Sequence, residues 1–304
     1  MKYCIDKYPM GSFTSQQTAG KYIDGFLYSN LEPLAKKIID DMTFLGIIYS
    51  STLEVGTGKS VLAQELGEAY TELVNKIHGL NIPFNIENIV FTPKDLIDRS
   101  FKLPRYSCII LDEWEDAHYW SELGITLRQF FRKCRKLNLF MICIIPDWFQ
   151  LPKGYAISRS VFAIDVKFEG EFERGYFSFY NFERKKDLYI NGKKMYNYKS
   201  ASPNFSGRFT DGYAVGREEY LKRKQEDLER ADSQKTKVKD LKEESAVKDA
   251  VWLACEGQYP ILNATQMAKI IQRDRGNLYA KKRILKESED KEEQEIENDT
   301  NEYV

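Results

Sequence analysis

The sequence predicts an α/β protein. A mostly parallel sheet is flanked by helices, extended by antiparallel β structure and followed by a small C-terminal all-α unit. Three observations lead there. Short apolar runs alternate with helix-like stretches between residues 44 and 145, the pattern of strands joined by crossover helices. Two of those runs, Tyr106–Leu111 and Leu139–Ile145, are apolar nearly throughout, as in parallel strands covered on both faces. After Ser160 the texture shifts to Phe, Tyr, Val and Ile with local alternation, the period of antiparallel strands.

Taken in order, residues 1–29 form a polar and aromatic lead-in. Leu31–Met42 reads as a short amphipathic helix delivering the chain to a strand at Phe44–Ser50, and Val61–Ile77 as the helix that follows. Asn88–Phe91 is a second short strand. Pro93–Arg99 has helix-start character, with Thr92 as its cap. Tyr106–Leu111 is the third strand. Trp120–Lys136 is an amphipathic helix carrying Arg128, Arg132, Lys133, Arg135 and Lys136. Leu139–Ile145 is the fourth strand, stopped by Pro146.

Residues 160–198 form the β extension. Arg174-Gly175 marks a turn or bulge there, and Asn191-Gly192 signals a hairpin between Asp187–Ile190 and Lys193–Tyr198. Ala201–Gly216 is loop-like, closing a first domain that spans 30–216. Residues 217–245 are a charged helical linker, and 246–286 regain apolar periodicity as a small helical domain. The end, 287–304, carries nine acidic residues against the single Lys291 and is expected to be a disordered tail.

Composition narrows the function classes. The 304 residues carry 45 Lys and Arg against 46 Asp and Glu, so attraction to nucleic acid or membrane has to be local. The five cysteines are scattered with no C-x-x-C pair, which disfavours structural zinc and fits free thiols in a reducing interior. No N-terminal apolar run resembles a signal peptide, and no apolar stretch is long enough to span a bilayer. The expected location is cytoplasmic, without membrane insertion.

The most chemically specific segment is Val55-Gly56-Thr57-Gly58-Lys59-Ser60, placed between the first strand and its helix. A phosphate cradle needs several backbone N–H groups converging on one concavity. Glycine permits that backbone, and the following helix aims its positive dipole end at the anion. Residues Val55 to Val61 would surround a nucleoside triphosphate, with Lys59 on its β- and γ-phosphates and the Ser60 hydroxyl on Mg²⁺. The full pattern wants glycine five positions before Gly58, where this chain has Leu53.

The third strand supplies the complement. Ile109-Ile110-Leu111-Asp112-Glu113 ends an apolar run in two carboxylates. Asp112 can hold Mg²⁺ directly or through its water, and Glu113 can orient and deprotonate an attacking water.

The pairing of G-T-G-K-S with I-I-L-D-E resembles P-loop ATPases of the ASCE class. Within it, the layout is most similar to HerA/FtsK-type DNA motors and the Zot-like ATPases of viruses and plasmids. The resemblance spans Asn30 to Ser160. It rests also on a helix ending in Arg132-Lys133-Cys134-Arg135-Lys136 ahead of a buried strand. It implies a P-loop NTPase sheet, bound ATP and Mg²⁺, hydrolysis, a ring or other homo-oligomer, and DNA as partner. It further implies an arginine finger reaching a neighbour's site, for which Arg128, Arg132, Arg135 and Arg159 are candidates and Arg135 or Arg159 are favoured. Such motors usually place a polar sensor at the end of the fourth strand. Here that strand ends Ile144-Ile145-Pro146-Asp147, with Asp147 an unusual sensor. Together with Leu53, this implies slow turnover.

A last constellation lies near the C-terminus. Residues 263–271, a turn through Gln272–Asn277, and 278–286 have the pattern of a (winged) helix-turn-helix. Ala264–Lys286 holds seven basic residues and one acidic, a local charge of +6. A recognition helix and its approach would present Arg273, Arg275, Asn277, Tyr279, Lys281, Lys282 and Arg283 to DNA. The expected function is an ATP-hydrolysing DNA-handling motor of a virus or mobile element. A helicase or helicase loader, and an ATP-dependent DNA-binding regulator without significant turnover, are the alternatives.

Overall fold

A seven-stranded mixed sheet organises the first part of the chain. The computed structural model describes residues 22–230 except 55, 113–128, 133, 170–172, 211 and 228. By its internal contacts the chain falls into two units, Met1–Gln225 and Glu226–Val304; of the second, residues 226, 227, 229 and 230 are described and are helical. The helix-turn-helix with Arg273, Arg275, Asn277, Tyr279, Lys281, Lys282 and Arg283, the acidic tail, most of the Trp120–Lys136 helix, Val55 and Glu113 lie outside the described residues.

The strands are β1 (Phe44–Tyr49), β2 (Ile89–Val90), β3 (Cys108–Leu111), β4 (Phe140–Ile144), β5 (Phe162–Glu169), β6 (Glu173–Tyr180) and β7 (Phe205–Arg208), in spatial order β2-β3-β4-β1-β5-β6-β7. From β2 to β5 all pairings are parallel; β6 and β7 are added antiparallel. The α/β class, the mostly parallel core and the antiparallel extension therefore stand as the alternating runs indicate.

Both faces of the sheet are covered, which explains the continuous apolar strands. Ile48, Ile110, Ile142, Ile144 and Ile164 pack with helix α2 (Lys59–His78) and α1 (Gly25–Lys37) on one face. Ile47, Tyr49, Leu111, Met141 and Cys143 pack with Phe130, Phe131, Trp148 and Tyr155 on the other. Trp148 is fully buried and its ring stacks on Tyr49 at 5.4 Å, so it serves packing. Helix α3 (Pro93–Ser100) starts where Thr92 accepts the Asp95 N–H at 3.1 Å, as its sequence requires.

Three expectations are corrected. First, α1 begins at Gly25, inside the expected lead-in, because the Asp24 carboxylate caps it by accepting the N–H groups of Phe26 and Leu27. It ends at Lys37 rather than Met42.

Second, Asn191-Gly192 is no hairpin; it lies near the end of helix α4 (Phe182–Lys193). Asn181 caps that helix through the Arg184 N–H at 3.0 Å, and Lys185, Leu188, Tyr189 and Gly192 bury one helical face. Gly192 is small for closeness, not for a turn: a Cβ there would stand 2.6 Å from the Asn197 carbonyl oxygen. The β extension thus contains a helix.

Third, the expected loop at 201–216 contains β7, which pairs with β6 and ends the sheet. Of the turn or bulge expected at Arg174-Gly175, the structure has the bulge: the register shifts between Lys167 and Glu169 opposite it, and Gly175 has φ +92°.

Candidate functional site

The loop between β1 and α2 is built on left-handed backbone. Leu53, Gly56 and Gly58 have φ of +58°, +83° and +99°. The entry is tied down by β5: the Asp165 carboxylate accepts the Ser51 N–H at 2.8 Å and the Ser51 hydroxyl at 2.7 Å. Burial pushes the Asp165 carboxyl upward, against the lowering effect of those two hydrogen bonds. At the exit, Gly58 starts a helix of 20 residues with no side-chain cap. The N-cap position therefore offers no side-chain oxygen to the first turn of α2, the arrangement that suits an anion.

Leu53 occupies the position where the motif wants glycine, in the backbone conformation that glycine favours. The departure from the pattern is one of side chain and not of chain path. The left-handed region costs a non-glycine residue about 1 kcal/mol, and Leu53 is half exposed, so it recovers little by packing. Leu53→Gly is expected to raise stability in urea denaturation by up to about 1 kcal/mol, the gain being trimmed by the extra entropy of an unfolded glycine. A loss of stability would show that Leu53 is not strained.

Lys59 Nζ folds over its own loop, 3.4 Å from the Glu54 carbonyl oxygen and 3.5 Å from Thr57 Oγ1. Ser60 Oγ donates to Asp112 Oδ1 at 2.9 Å. That bond joins the two sequence motifs across the intervening β4, since β1 and β3 are not neighbours in the sheet. Asp112 is buried at 1% exposure just past the end of β3. Its second oxygen, Oδ2, accepts the hydroxyl of Tyr220. Tyr220 is itself buried at 3% and packs beside Phe91 and Tyr213. Burial first, and the Asp112 charge second, push the Tyr220 phenol far above its ordinary range, so it stays a donor.

The antiparallel end of the sheet completes the wall of the loop. Phe209 follows β7, and a Cβ on Gly58 would stand 3.0 Å from its ring. Thr210 Oγ1 donates at 2.8 Å to Glu65 on the second turn of α2. Arg174 Nη2 lies 3.4 Å from where a Cβ on Gly56 would be. None of Asp165, Arg174, Phe209 or Tyr220 was singled out by the motifs. Arg174 figured only in a turn or bulge signal, and Tyr220 carries a faint one, an aromatic within the charged run Arg217–Lys224.

Other expected residues fall elsewhere. Arg135 and Arg159 precede β4 and β5, at the sheet edge opposite the loop. Arg135 Nε donates to the Asp41 carbonyl oxygen at 2.8 Å, and Arg159 Nη2 lies 3.2 Å from Cys134 Sγ. Neither reaches the loop of its own chain. Asp147 makes a poor sensor: it is 2% exposed, and its carboxylate accepts the hydroxyls of Tyr196 and Tyr198 and the Phe149 N–H. Among the described residues no helix is long and apolar enough to cross a membrane. Set against known proteins, the chain matches no family model, no curated protein and no solved structure.

Proposed function

We propose that this chain is a P-loop ATPase that couples ATP hydrolysis to the handling of DNA. The observation that carries the reading is the 2.9 Å hydrogen bond from Ser60 to Asp112, made at the foot of a glycine loop whose helix has no side-chain cap. A hydroxyl and a carboxylate brought together beside a phosphate cradle fit Mg²⁺, a cation that takes oxygen ligands and keeps waters. Bound there, the ion would neutralise charge on the phosphate oxygens.

The chain's own groups do the rest. The N–H groups around Gly56 and Gly58 and at the start of α2 hold the phosphates. Lys59 turns from its loop contacts onto the terminal phosphates. Asp112 orients Ser60. Glu113, next in sequence after Asp112, orients water and takes its proton. Arg135 or Arg159, remote from the loop of their own chain, serve a neighbour's site in a homo-oligomer. The basic residues between Lys269 and Lys286 dock on DNA through a helix-turn-helix. The similarity to HerA/FtsK-type and Zot-like ATPases makes a virus or mobile element the natural setting, and the cytoplasm the natural compartment.

One observation favours a second reading. The Tyr220 hydroxyl already sits on Asp112 Oδ2, which suits a slow or nucleotide-switched protein whose DNA affinity depends on ATP. The ATPase rate with and without double-stranded DNA separates the two. A motor shows turnover that rises with DNA and that Glu113→Gln abolishes while ATP binding persists. A regulator binds ATP and DNA jointly with negligible turnover. No ATP binding by the intact protein overturns both.

A further inference from the structure

Arg174 stands at the mouth of the loop. Among the described residues, no hydrogen bond or ion pair holds its guanidinium. An arginine left unpaired on a folded surface is common; one resting on a phosphate-type loop is not neutral to an anion bound there.

Three features fix its place. The bulge at Gly175 adopts φ +92°, and a Cβ there would stand 2.5 Å from the Phe209 carbonyl oxygen. The Phe209 N–H donates to the Gly175 carbonyl oxygen at 2.8 Å, so β6 is pinned to the chain just after β7 at this point. Because β6 runs antiparallel to β5, its first residues lie at the sheet edge where β1 ends and the loop begins. The result is a bracket: Arg174 against Gly56 and the Phe209 ring against Gly58.

Lys59 Nζ lies against Glu54 and Thr57, on either side of the position Arg174 touches. Both cations therefore converge on the short stretch 54–57. Arg135 and Arg159 stand at the opposite sheet edge and cannot take this role within one chain.

We propose that Arg174 is a phosphate-binding residue supplied in cis, which contacts the same terminal phosphates as Lys59 and distinguishes a nucleoside triphosphate from a diphosphate. The inference rests on the reading that the loop binds ATP. A planar guanidinium can give two parallel hydrogen bonds to the non-bridging oxygens of one phosphate and keeps its charge at any working pH.

The test is a titration of the full chain with fluorescent ATP and ADP analogues in the presence of Mg²⁺, for the wild type, Arg174→Ala, Arg174→Lys and Lys59→Ala. Arg174→Ala is expected to weaken ATP binding about 10- to 100-fold, as for loss of a charge-assisted contact. Its ADP affinity is expected to change much less, and Arg174→Lys is expected to recover part of the loss. Because Arg174 is exposed, its melting temperature should match that of the wild type. Wild-type ATP binding that requires Lys59 but is equal in Arg174→Ala overturns this proposal alone. Absence of ATP binding by the wild type overturns the underlying reading along with it. Equal losses for ATP and ADP overturn the assignment to the terminal phosphate.

Discussion

Lys59→Ala is expected to weaken ATP binding by about 10- to 100-fold, and turnover with it, without unfolding the protein. The magnitude follows from removing one charged donor to phosphate, about 1.5–3 kcal/mol, at 1.4 kcal/mol per tenfold. The fold should tolerate the change because the contacts of Lys59 with the Glu54 carbonyl oxygen and Thr57 Oγ1, 3.4 and 3.5 Å, are long and part-buried. The anchors of the loop lie elsewhere, in the paired hydrogen bonds of Ser51 to Asp165 and in the two bonds from the Val61 and Leu62 N–H groups to the Gly58 carbonyl oxygen at 3.1 Å. Calorimetric titration of ATP together with a thermal melt checks both halves. Unchanged affinity would show that the loop is not a phosphate cradle. A collapse of the melt would show that Lys59 is a structural residue.

Asp112→Ala is expected to act on stability and on metal response together. Asp112 accepts hydrogen bonds from two hydroxyls, Ser60 on one oxygen and Tyr220 on the other, and Asp112 and Tyr220 are both buried. Removing the acceptor leaves the buried Tyr220 hydroxyl without its partner, at a cost of about 1–3 kcal/mol. Asp112→Asn separates the two effects. A hydroxyl can rotate to accept as well as donate, so the amide can meet one hydroxyl through its oxygen and the other through its NH₂. The fold should recover to within about 1 kcal/mol of the wild type in urea denaturation. The negative charge is nevertheless gone, and ATP binding should no longer tighten when Mg²⁺ is added. If Asp112→Asn keeps the magnesium response, Asp112 is a structural carboxylate and not a metal-site residue.

The contact between Tyr220 and Asp112 also ties the site to the end of the first unit. Residues 217–225 are helical and end the first unit. Tyr220 lies on that helix, so its hydrogen bond joins Asp112 to the last helical segment of the first unit.

Much of this molecule was legible in the sequence where the deciding physics is local. The strands at Phe44–Tyr49, Cys108–Leu111 and Phe140–Ile144 follow from runs too apolar to be exposed on either side. The helix at Pro93–Ser100 follows from a threonine cap three residues before an aspartate. The glycine loop follows from positive φ at Gly56 and Gly58, a demand written into the residue type. The hairpin reading at Asn191-Gly192 failed because the same dipeptide can serve closeness as well as turning. The buried face of Lys185, Leu188, Tyr189 and Gly192 outweighed the turn preference.

By itself, then, the sequence determined the alternating α/β core and the glycine loop, because hydrophobic period and backbone preference act over a few residues. Tertiary structure alone decided which distant groups meet that loop. Asp165, Arg174, Phe209 and Tyr220 reach it from β5, β6, the stretch after β7 and the helix beyond. The reason is the strand order: β5 pairs with β1 and carries β6 and β7 with it, so residues more than a hundred positions downstream become neighbours of the loop. No local pattern encodes that adjacency, since it exists only once the sheet has closed around β1.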